Sequence, residues 1–433
     1  MPRPNILYLH SHDTGRYIQP YGHAVPTPNM QRLAEEGVLF RQAFAAAPTC
    51  SPSRAALLTG QAPHCSGMTG LAHRGWGLAD YGRHIVHTLR RAGYTSTLAG
   101  VQHVAADAGT IGYDRVLPLE SHGAAHVAPA AAEFLARRPK EPFFLSVGFT
   151  ETHREFPEPS AENDPRFALP PAPLPDVPRT RYDMARFKTS ARAYDDGVGI
   201  VLAALVRSGL AGRTLVINTT DHGIAFPGMK CHLTDHGIGV MLIVRGPGGF
   251  EGGRVVDGMV SQIDLFPTLC DLAEIARPPW LQGTSILPLV RGEAREVNDA
   301  VFAEVTWHAA YEPMRCVRTG RYKYIQRFDG RTRPVLPNID DGPSKDVWLE
   351  HGFADRPPAE HPLYDLVFDP NETHNLAADA AHAAVLHAMR GRLATWMRET
   401  DDPLLAGPVP APRGARANDP DGLSPQEEPI GAV

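Results

Sequence analysis

The chain has 433 residues, which is more than one hydrophobic core usually covers, so we expect a large domain and a smaller one. Its hydrophobic residues (43%) and charged residues (21%) occur in the proportions of an ordinary globular protein, and its formal charge of -6 argues against nucleic acid as a partner. No run approaches the roughly 18 apolar residues of a membrane span, and no apolar signal region precedes the first strand-forming segment. The five cysteines are scattered and form no CxxC pair, so the sequence predicts a cytoplasmic protein in a reducing compartment, with no membrane partner.

The first 300 residues alternate between strand-forming runs and helical patterns. Buried strands are predicted at the apolar runs 5–9, 93–100, 142–149, 214–220 and 240–244. Helical patterns occur at 28–36, 84–91 and 185–208, and a proline-broken loop covers 156–178. This alternation predicts an α/β domain over residues 1–300, with a large, mostly parallel central sheet flanked by helices.

After about residue 293 the pattern changes. Residues 314–327 predict a hairpin with its turn at Thr319-Gly320, residues 363–366 a further strand and residues 382–398 an amphipathic helix. These elements predict a smaller α+β domain with an antiparallel sheet over residues 301–400. Prolines and charges dominate residues 401–433, which are predicted to be a tail that is mobile or wraps the surface.

Residues 50–60 place a thiol, a helix start and a cation within one helical turn of each other. Ser51 is a good N-cap, Pro52 is tolerated at the first helical position and Gly60 supplies a stop. Cys50 is therefore predicted just ahead of a helix N-terminus, whose free N–H groups stabilise a thiolate or an anionic oxygen group in its place. Arg54, one turn into the helix, could clamp a tetrahedral oxyanion. The structural alternative is a buried cysteine that caps an ordinary helix.

Two pairs of metal-ligand residues follow predicted strands. His12 and Asp13 come after the first strand, and Asp221 and His222 come after residues 214–220. Because the carboxyl ends of parallel strands meet at one edge of a sheet, these side chains are predicted to converge. Two carboxylates and two imidazoles suit a divalent-metal site, although each residue alone is equally consistent with a capping Asp or a surface His.

The string Cys50-x-Pro52-x-Arg54, followed by Thr59-Gly60, resembles the signature of the sulfatase family. This resemblance implies an alkaline-phosphatase-like α/β fold. It also implies that a formylglycine-generating enzyme oxidises the cysteine to formylglycine, whose hydrated aldehyde is the nucleophile. The implied substrate is a sulfated small molecule or saccharide.

The predicted metal pairs differ from the usual family pattern. The family usually carries Asp-Asp and Asp-Asn, whereas this chain has His12-Asp13 and Asp221-His222, with Cys50 as a further ligand once converted. The resemblance implies calcium, which takes oxygen ligands, but the two imidazoles favour manganese or zinc. The Asp-His pair also looks like the formylglycine-dependent phosphonate and phosphodiester hydrolases of the same superfamily, so the choice between sulfur and phosphorus stays open.

Other residues match positions at which the family binds the sulfate group. Arg54 and Lys230 match its cations, and His103 matches the histidine of its Lys-x-His element. The lysine position of that element holds Val101, so one clamp is missing. Candidates for its replacement are Arg16, His73 and Arg74.

Three further histidines are implied at the pocket. The resemblance implies that His153 is the acid that protonates the leaving group. His232 and His236 follow Lys230 and could also line the pocket, with a purely structural role as the alternative.

Within the family, residues 226–227 and 396–403 look closest to the heparan N-sulfatase, or sulfamidase, branch, which cleaves the N-sulfate of glucosamine. The sequence therefore predicts a sulfuric ester or sulfamate hydrolase of that type. One alternative is a phosphonate monoester or phosphodiester hydrolase on the same scaffold. Another is a non-catalytic binding protein, suggested by the missing lysine and the altered metal ligands. The oligomeric state stays open, with a homo-oligomer among the options.

Overall fold

The computed structural model describes residues 3–431, and its centre is a sheet of eight strands. The strands of the large region are, in chain order, β1 (Asn5–Ser11), β2 (Val38–Phe40), β3 (Ala43–Phe44), β4 (Thr95–Gly100), β5 (Arg115–Val116), β6 (Phe143–Gly148), β7 (Thr214–Thr220), β8 (Leu242–Arg245), β9 (Arg254–Val256) and β10 (Val260–Ser261). The order across the large sheet is β5-β4-β6-β1-β7-β8-β2-β9, while β3 and β10 pair separately. All neighbours in the large sheet are parallel except those of β8, so the predicted mostly parallel sheet is confirmed.

Helices cover both faces of this sheet. Successive residues of β1 point to opposite faces, so Ile6 and Tyr8 join one apolar core while Leu7 and Leu9 join the other. The helices of the large region are α1 (Pro28–Glu36), α2 (Cys50–Thr59), α3 (Pro63–Ser66), α4 (Ile85–Arg91), α5 (Ala124–Ala136), α6 (Pro178–Arg207), α7 (Asp235–Ile238), α8 (Leu265–Leu272) and α9 (Leu287–Arg291). Within residues 3–431 no helix combines the length and the apolar character that crossing a membrane requires.

A second, antiparallel sheet follows the large region. Its strands are β11 (Ala300–Trp307), β12 (Tyr311–Thr319), β13 (Tyr322–Arg327) and β14 (Leu363–Asp365), and the helices α10 (Pro343–Glu350) and α11 (Ala383–Glu399) accompany it. One face of the sheet packs on Leu393 and Met397 of α11. The other face packs on Phe44 and Ile238 of the large region. The predicted antiparallel α+β unit is therefore present, and it packs against β3 and α7 of the large region.

The last described residues run along the surface of the molecule. They include a short hairpin between β15 (Arg416–Ala417) and β16 (Ile430–Gly431). Arg74 donates hydrogen bonds to the side chain of Asn418 at 2.5 Å and to the carbonyl of Pro425 at 3.2 Å. Residues 432–433 of the predicted tail, and residues 1–2 of the predicted large domain, lie outside the described residues.

Two predicted helix starts are wrong by a few residues. The helix predicted at 185–208 begins at Pro178, because proline is well suited to the first helical turn and the Thr180 side chain caps the Val177 N–H. The helix after Cys50 begins at Cys50 itself, with extended Thr49 as its N-cap in place of Ser51. The predicted stop is confirmed, because Gly60 adopts the left-handed conformation with φ of 69°.

Candidate active site

The strands β1 and β7 bring the two predicted metal pairs together. They are parallel neighbours whose last residues, Ser11 and Thr220, are in register. Directly beyond them the backbone N–H of Asp13 donates to Asp221 Oδ1 at 2.8 Å. Asp13 has a φ of 51°, a left-handed conformation that aspartate tolerates better than most residues and that turns the chain sharply after His12.

The segment that follows β6, at the same edge of the sheet, holds this turn in place through hydrogen bonds. Thr152, which follows β6, donates its hydroxyl to the carbonyls of His12 at 2.9 Å and Asp13 at 3.1 Å. Its backbone N–H also donates to the His12 carbonyl at 2.7 Å. The strand ends of β6, β1 and β7 therefore hold one another in place.

Cys50 lies at the start of α2 and points at these strand ends. Its side chain is 1% exposed, with Sγ 3.3 Å from His222 Nε2 and 4.0 Å from Asp13 Oδ1. Burial raises the pKa of the thiol, but Lys230 and His222 more than offset it and hold the pKa well below its usual value. The position therefore favours an anionic side chain.

His222 presents a ring nitrogen to Cys50 and Asp13. Its Nδ1 lies 3.0 Å from the carbonyl of Gly223, which fixes that nitrogen as the donor and leaves Nε2 to face the pocket. Nε2 is 3.2 Å from Asp13 Oδ1. Burial opposes protonation of His222, yet Asp221 and Asp13 raise its pKa to about 9.

Arg54 contacts the metal-ligand side of the site. Its guanidinium is 1% exposed and donates to Asp221 Oδ2 at 2.9 Å and to the carbonyl of Ser11 at 2.8 Å. Ser53 of the same helix donates its hydroxyl to the Asp221 carbonyl at 2.5 Å. These contacts join α2 to β7, so Arg54 orients Asp221 in addition to adding positive charge.

Lys230 supplies a second buried cation. Its ammonium lies 2.8 Å from Asp13 Oδ2 and 2.9 Å from Asp340 Oδ2, and the side chain is only 3% exposed. Cys231 next to it has a φ of 65°, and its backbone N–H donates to the carbonyl of Pro48 at 2.8 Å. The loop of Lys230 is thereby tied to the segment that leads into Cys50.

The side chains at the strand ends fit a divalent cation. Donor atoms of His12, Asp13, Cys50 and Asp221 all lie within 4.8 Å of one another, and all four residues are buried. His12 Nδ1 lies 3.0 Å from Asp221 Oδ2 but has no hydrogen-bond partner among the described residues. Burial and Arg54 oppose protonation of His12, whereas Asp221 and Asp13 raise its pKa to about 10. The two buried carboxylates thus favour a positive charge at this place, and a divalent ion that replaced the His12 proton would find an imidazole nitrogen and two carboxylates as its donor set.

Three further predicted histidines lie beside His12. The ring centroid of His153 is 5.2 Å from that of His12, and the centroid of His103 is 5.5 Å away. His103 has a φ of 56°, and its Nε2 lies 2.9 Å from Nδ1 of the exposed His73. The structure thus gathers His103, His153 and His73 at one side of Cys50.

Four other predicted pocket residues are engaged elsewhere. Arg74 holds the C-terminal segment, as described above. Arg16 donates to the carbonyl of Ala43 at 2.8 Å. His236 contacts the hydroxyl of Tyr17 at 2.7 Å, and His232 Nδ1 lies 3.0 Å from the carbonyl of Lys230. Each of these contacts is made to a group other than Cys50.

The small region contributes two residues that sequence reasoning missed. Asp340 contacts Lys230, and His308, at the tip between β11 and β12, is buried with an Nδ1 that has no partner among the described residues. Burial, with Lys230 next, lowers the pKa of His308 to about 3. Both residues lie in segments without a motif, so only their position in the folded chain reveals them.

Comparisons with known proteins agree with this geometry. Residues 4–275 match the sulfatase family, and residues 229–345 match the family described as N-sulphoglucosamine sulphohydrolase, C-terminal. The human N-sulphoglucosamine sulphohydrolase is 31% identical over 93% of this chain and 92% of its own length. An ulvan-active sulfatase of Formosa agariphila is 28% identical over 96% of this chain and 84% of its own length.

Solved structures show the same fold at lower identity. A protein whose structure was determined in complex with its substrate D-glucosamine-2-N,6-O-disulfate has a TM-score of 0.72 at 18% identity, over 92% of this chain and 98% of its own. A 2-O GAG sulfatase has a TM-score of 0.73 at 22% identity, over 98% of this chain and 99% of its own.

Fold and site together define a class of α/β proteins in which a buried cysteine starts a helix at the carboxyl edge of a large, mostly parallel sheet, beside buried carboxylates. Within this class the chain belongs to the sulfatase family, whose members hydrolyse sulfate esters or sulfamates.

Proposed function

We propose that this protein is a formylglycine-dependent sulfamidase that removes the N-sulfate group from glucosamine-type saccharides. The observation that carries the proposal is the position of Cys50, buried at the start of α2 with its Sγ 3.3 Å from His222 Nε2 and within the four-residue donor cluster. The 31% identity to the human N-sulphoglucosamine sulphohydrolase supports the sulfamate as the substrate class.

Two groups that the family implies would complete the site. Formylglycine at position 50, made by a formylglycine-generating enzyme, would supply the hydroxyl nucleophile when hydrated. A divalent ion held by the predicted ligands His12, Asp13, Asp221, His222 and residue 50 would lower the pKa of a bound hydroxyl and offset charge on the sulfate oxygens. The two carboxylates suit calcium, while the His12 and His222 imidazoles favour manganese or zinc.

The remaining roles belong to side chains of this chain. Lys230, held between Asp13 and Asp340, would neutralise a sulfate oxygen as negative charge builds in the transition state. Arg54 would keep Asp221 oriented through their 2.9 Å contact. His153 would donate a proton to the departing nitrogen. The half-buried His103 would accept the proton whose loss lets the aldehyde reform.

The direct test is a comparison of initial rates on metal-replete protein in which conversion of Cys50 has been verified by peptide mass. N-sulfoglucosamine, an aryl sulfate and a phosphodiester would be offered at equal concentration, with Cys50→Ala as the inactive control. The proposal expects the sulfamate to have the highest kcat/KM. A clear preference for the phosphodiester would contradict it.

A second candidate is hydrolysis of phosphonate monoesters or phosphodiesters. The observation in its favour is His222, which stands where the family usually has asparagine and whose Nε2 faces Cys50. Replacement of His222 by asparagine separates the two candidates. A phosphodiesterase should lose its preferred activity, whereas a sulfamidase should keep the sulfamate as its best substrate.

We also propose that residues 1–300 form the catalytic domain and that residues 301–400 close one side of the pocket, followed by the tail at 401–433. The contacts of Asp340 and His308 support this division. A reducing compartment such as the cytoplasm is part of the same proposal and rests on the odd number and scattered positions of the five cysteines.

A further inference from the structure

A carboxylate from the small region reaches the candidate active site. Asp340 Oδ2 lies 2.9 Å from the Lys230 ammonium, which also contacts Asp13. The Asp340 side chain is 16% exposed, whereas those of Lys230 and Asp13 are 3% and 0% exposed. Of these three charged groups, Asp340 therefore has the most exposed side chain.

The loop that carries Asp340 is held rigidly. The buried ammonium of Lys345 donates to the carbonyls of Leu336 at 3.1 Å, Ile339 at 2.8 Å and Leu423 at 2.7 Å. Asn338 donates its amide to Glu312 of β12 at 2.9 Å. A carboxylate presented by a fixed loop loses little conformational freedom when it binds a ligand.

The same loop is anchored beside the segment that carries His153. Arg154 pairs with both oxygens of Asp183, at 2.8 and 2.7 Å, and Ser344 donates its hydroxyl to Asp183 at 2.6 Å. At Gly342, with φ of 153°, an added Cβ would lie 2.5 Å from Arg154 Nη1, so glycine allows this close approach. Asp340 is thereby placed near the proposed proton donor of the leaving group.

The sign of the charge decides which part of a substrate Asp340 can face. Lys230 and Arg54 make the sulfate side of the pocket cationic, and a second anion there would repel the sulfate oxygens. Burial raises the pKa of Asp340, but Lys230 and then His153 lower it overall, so the group is ionised at neutral pH and accepts hydrogen bonds only. Its partner must be a donor on the other side of the scissile bond.

We propose that Asp340 binds the departing nitrogen of the substrate and selects sulfamates of amino sugars over sulfate esters. This inference rests on the proposed function. In the reaction an S–O bond forms and the S–N bond breaks, the electron pair goes to nitrogen, and nitrogen takes a proton from His153. As His153 protonates the departing nitrogen in the transition state, the nitrogen gains positive charge and donates a charge-assisted hydrogen bond to Asp340. The product amine then takes a second proton from water. An alcohol leaving group gains only the weaker bond of a neutral donor.

The test compares Asp340→Asn with wild type on N-sulfoglucosamine and on an aryl sulfate. Asp341→Asn is the matched control, because Asp341 lies in the same loop but pairs with Lys345 at 2.7 Å. We expect Asp340→Asn to lower kcat/KM roughly tenfold more for the sulfamate than for the ester, which is the difference between a charged and a neutral hydrogen bond. Equal losses on both substrates would mean that Asp340 only holds Lys230, and would overturn the inference.

A binding measurement keeps this test separate from the proposed function. Calorimetric titrations of glucosamine and of glucose into wild type and Asp340→Asn need no turnover. Tighter binding of glucosamine by wild type, lost in Asp340→Asn and kept in Asp341→Asn, supports the inference even if no sulfated substrate is hydrolysed. Equal binding of the two sugars, or a preference that survives in Asp340→Asn, would overturn it.

Discussion

Replacement of Arg54 by methionine should cost more stability than loss of an ordinary ion pair. The guanidinium is 1% exposed and donates to Asp221 Oδ2 at 2.9 Å and to the Ser11 carbonyl at 2.8 Å. Methionine fills similar volume but leaves the buried carboxylate without this partner. Removal of one member of a buried pair costs about 3–5 kcal/mol, so we expect the free energy of unfolding to fall by that amount.

The control is the same substitution at an exposed pair. Arg192 Nε lies 3.0 Å from Asp196 on the surface of α6, with side chains 40% and 55% exposed, so Arg192→Met should cost less than about 1 kcal/mol. Chemical denaturation followed by tryptophan fluorescence, in buffer with a chelator, measures both variants. If Arg54→Met lowered stability no more than Arg192→Met, the role assigned to the contact with Asp221 would be refuted.

Three further outcomes are expected. Cys50→Ala should reduce the initial rate of hydrolysis by at least about 1,000-fold, because Cys50 lies in the donor cluster of the site. The control variant Cys65→Ala should stay near the wild-type rate. Equal activity of the two variants would exclude a covalent role for Cys50. A chelator should lower the midpoint of thermal unfolding, and a divalent ion at about 100 times its Kd should raise the free energy of unfolding by about 2.7 kcal/mol. A similar response in Asp13→Asn would place the ion elsewhere. His64 pairs with Glu304, which outweighs burial and raises the pKa of His64 to about 10. Because this pKa exceeds the usual 6.5, the stabilisation of the fold by protonated His64 is fully present below pH 6.5 and is lost as the pH rises toward 10. The difference in the free energy of unfolding between wild type and His64→Gln should therefore narrow over that range. A difference that stayed constant with pH would contradict the pairing of protonated His64 with Glu304.

Part of the candidate site is formed by helix and strand ends, which can be predicted from the residues next to them in the sequence. Helix α2 begins at Cys50, close to its predicted start, and ends before Gly60 as predicted, because capping and the left-handed stop are governed by residues within a few positions. The strands β1 and β7 are continuous apolar runs because both of their faces are buried, and their polar ends follow directly. These signals were enough to predict that His12, Asp13, Asp221 and Cys50 would meet.

Other parts of the site depend on contacts between distant segments. Arg74 matched a possible sulfate clamp, yet its guanidinium binds Asn418, which is 344 positions away in the chain. Asp340 carries no sequence signal, because its position results from the packing of Lys345 and Gly342 against two other segments.

The sequence by itself determined the helix that follows Cys50, the polar pairs at the ends of β1 and β7 and the alternation of strands and helices, since each of these is encoded by neighbouring residues. Only the tertiary structure decided which of the candidate cations lie near Cys50, that Arg54 contacts Asp221 and that the small region adds the carboxylate of Asp340 to the candidate site. The physical reason is that burial and charge compensation are properties of surroundings assembled from remote parts of the chain, and a linear pattern does not contain them.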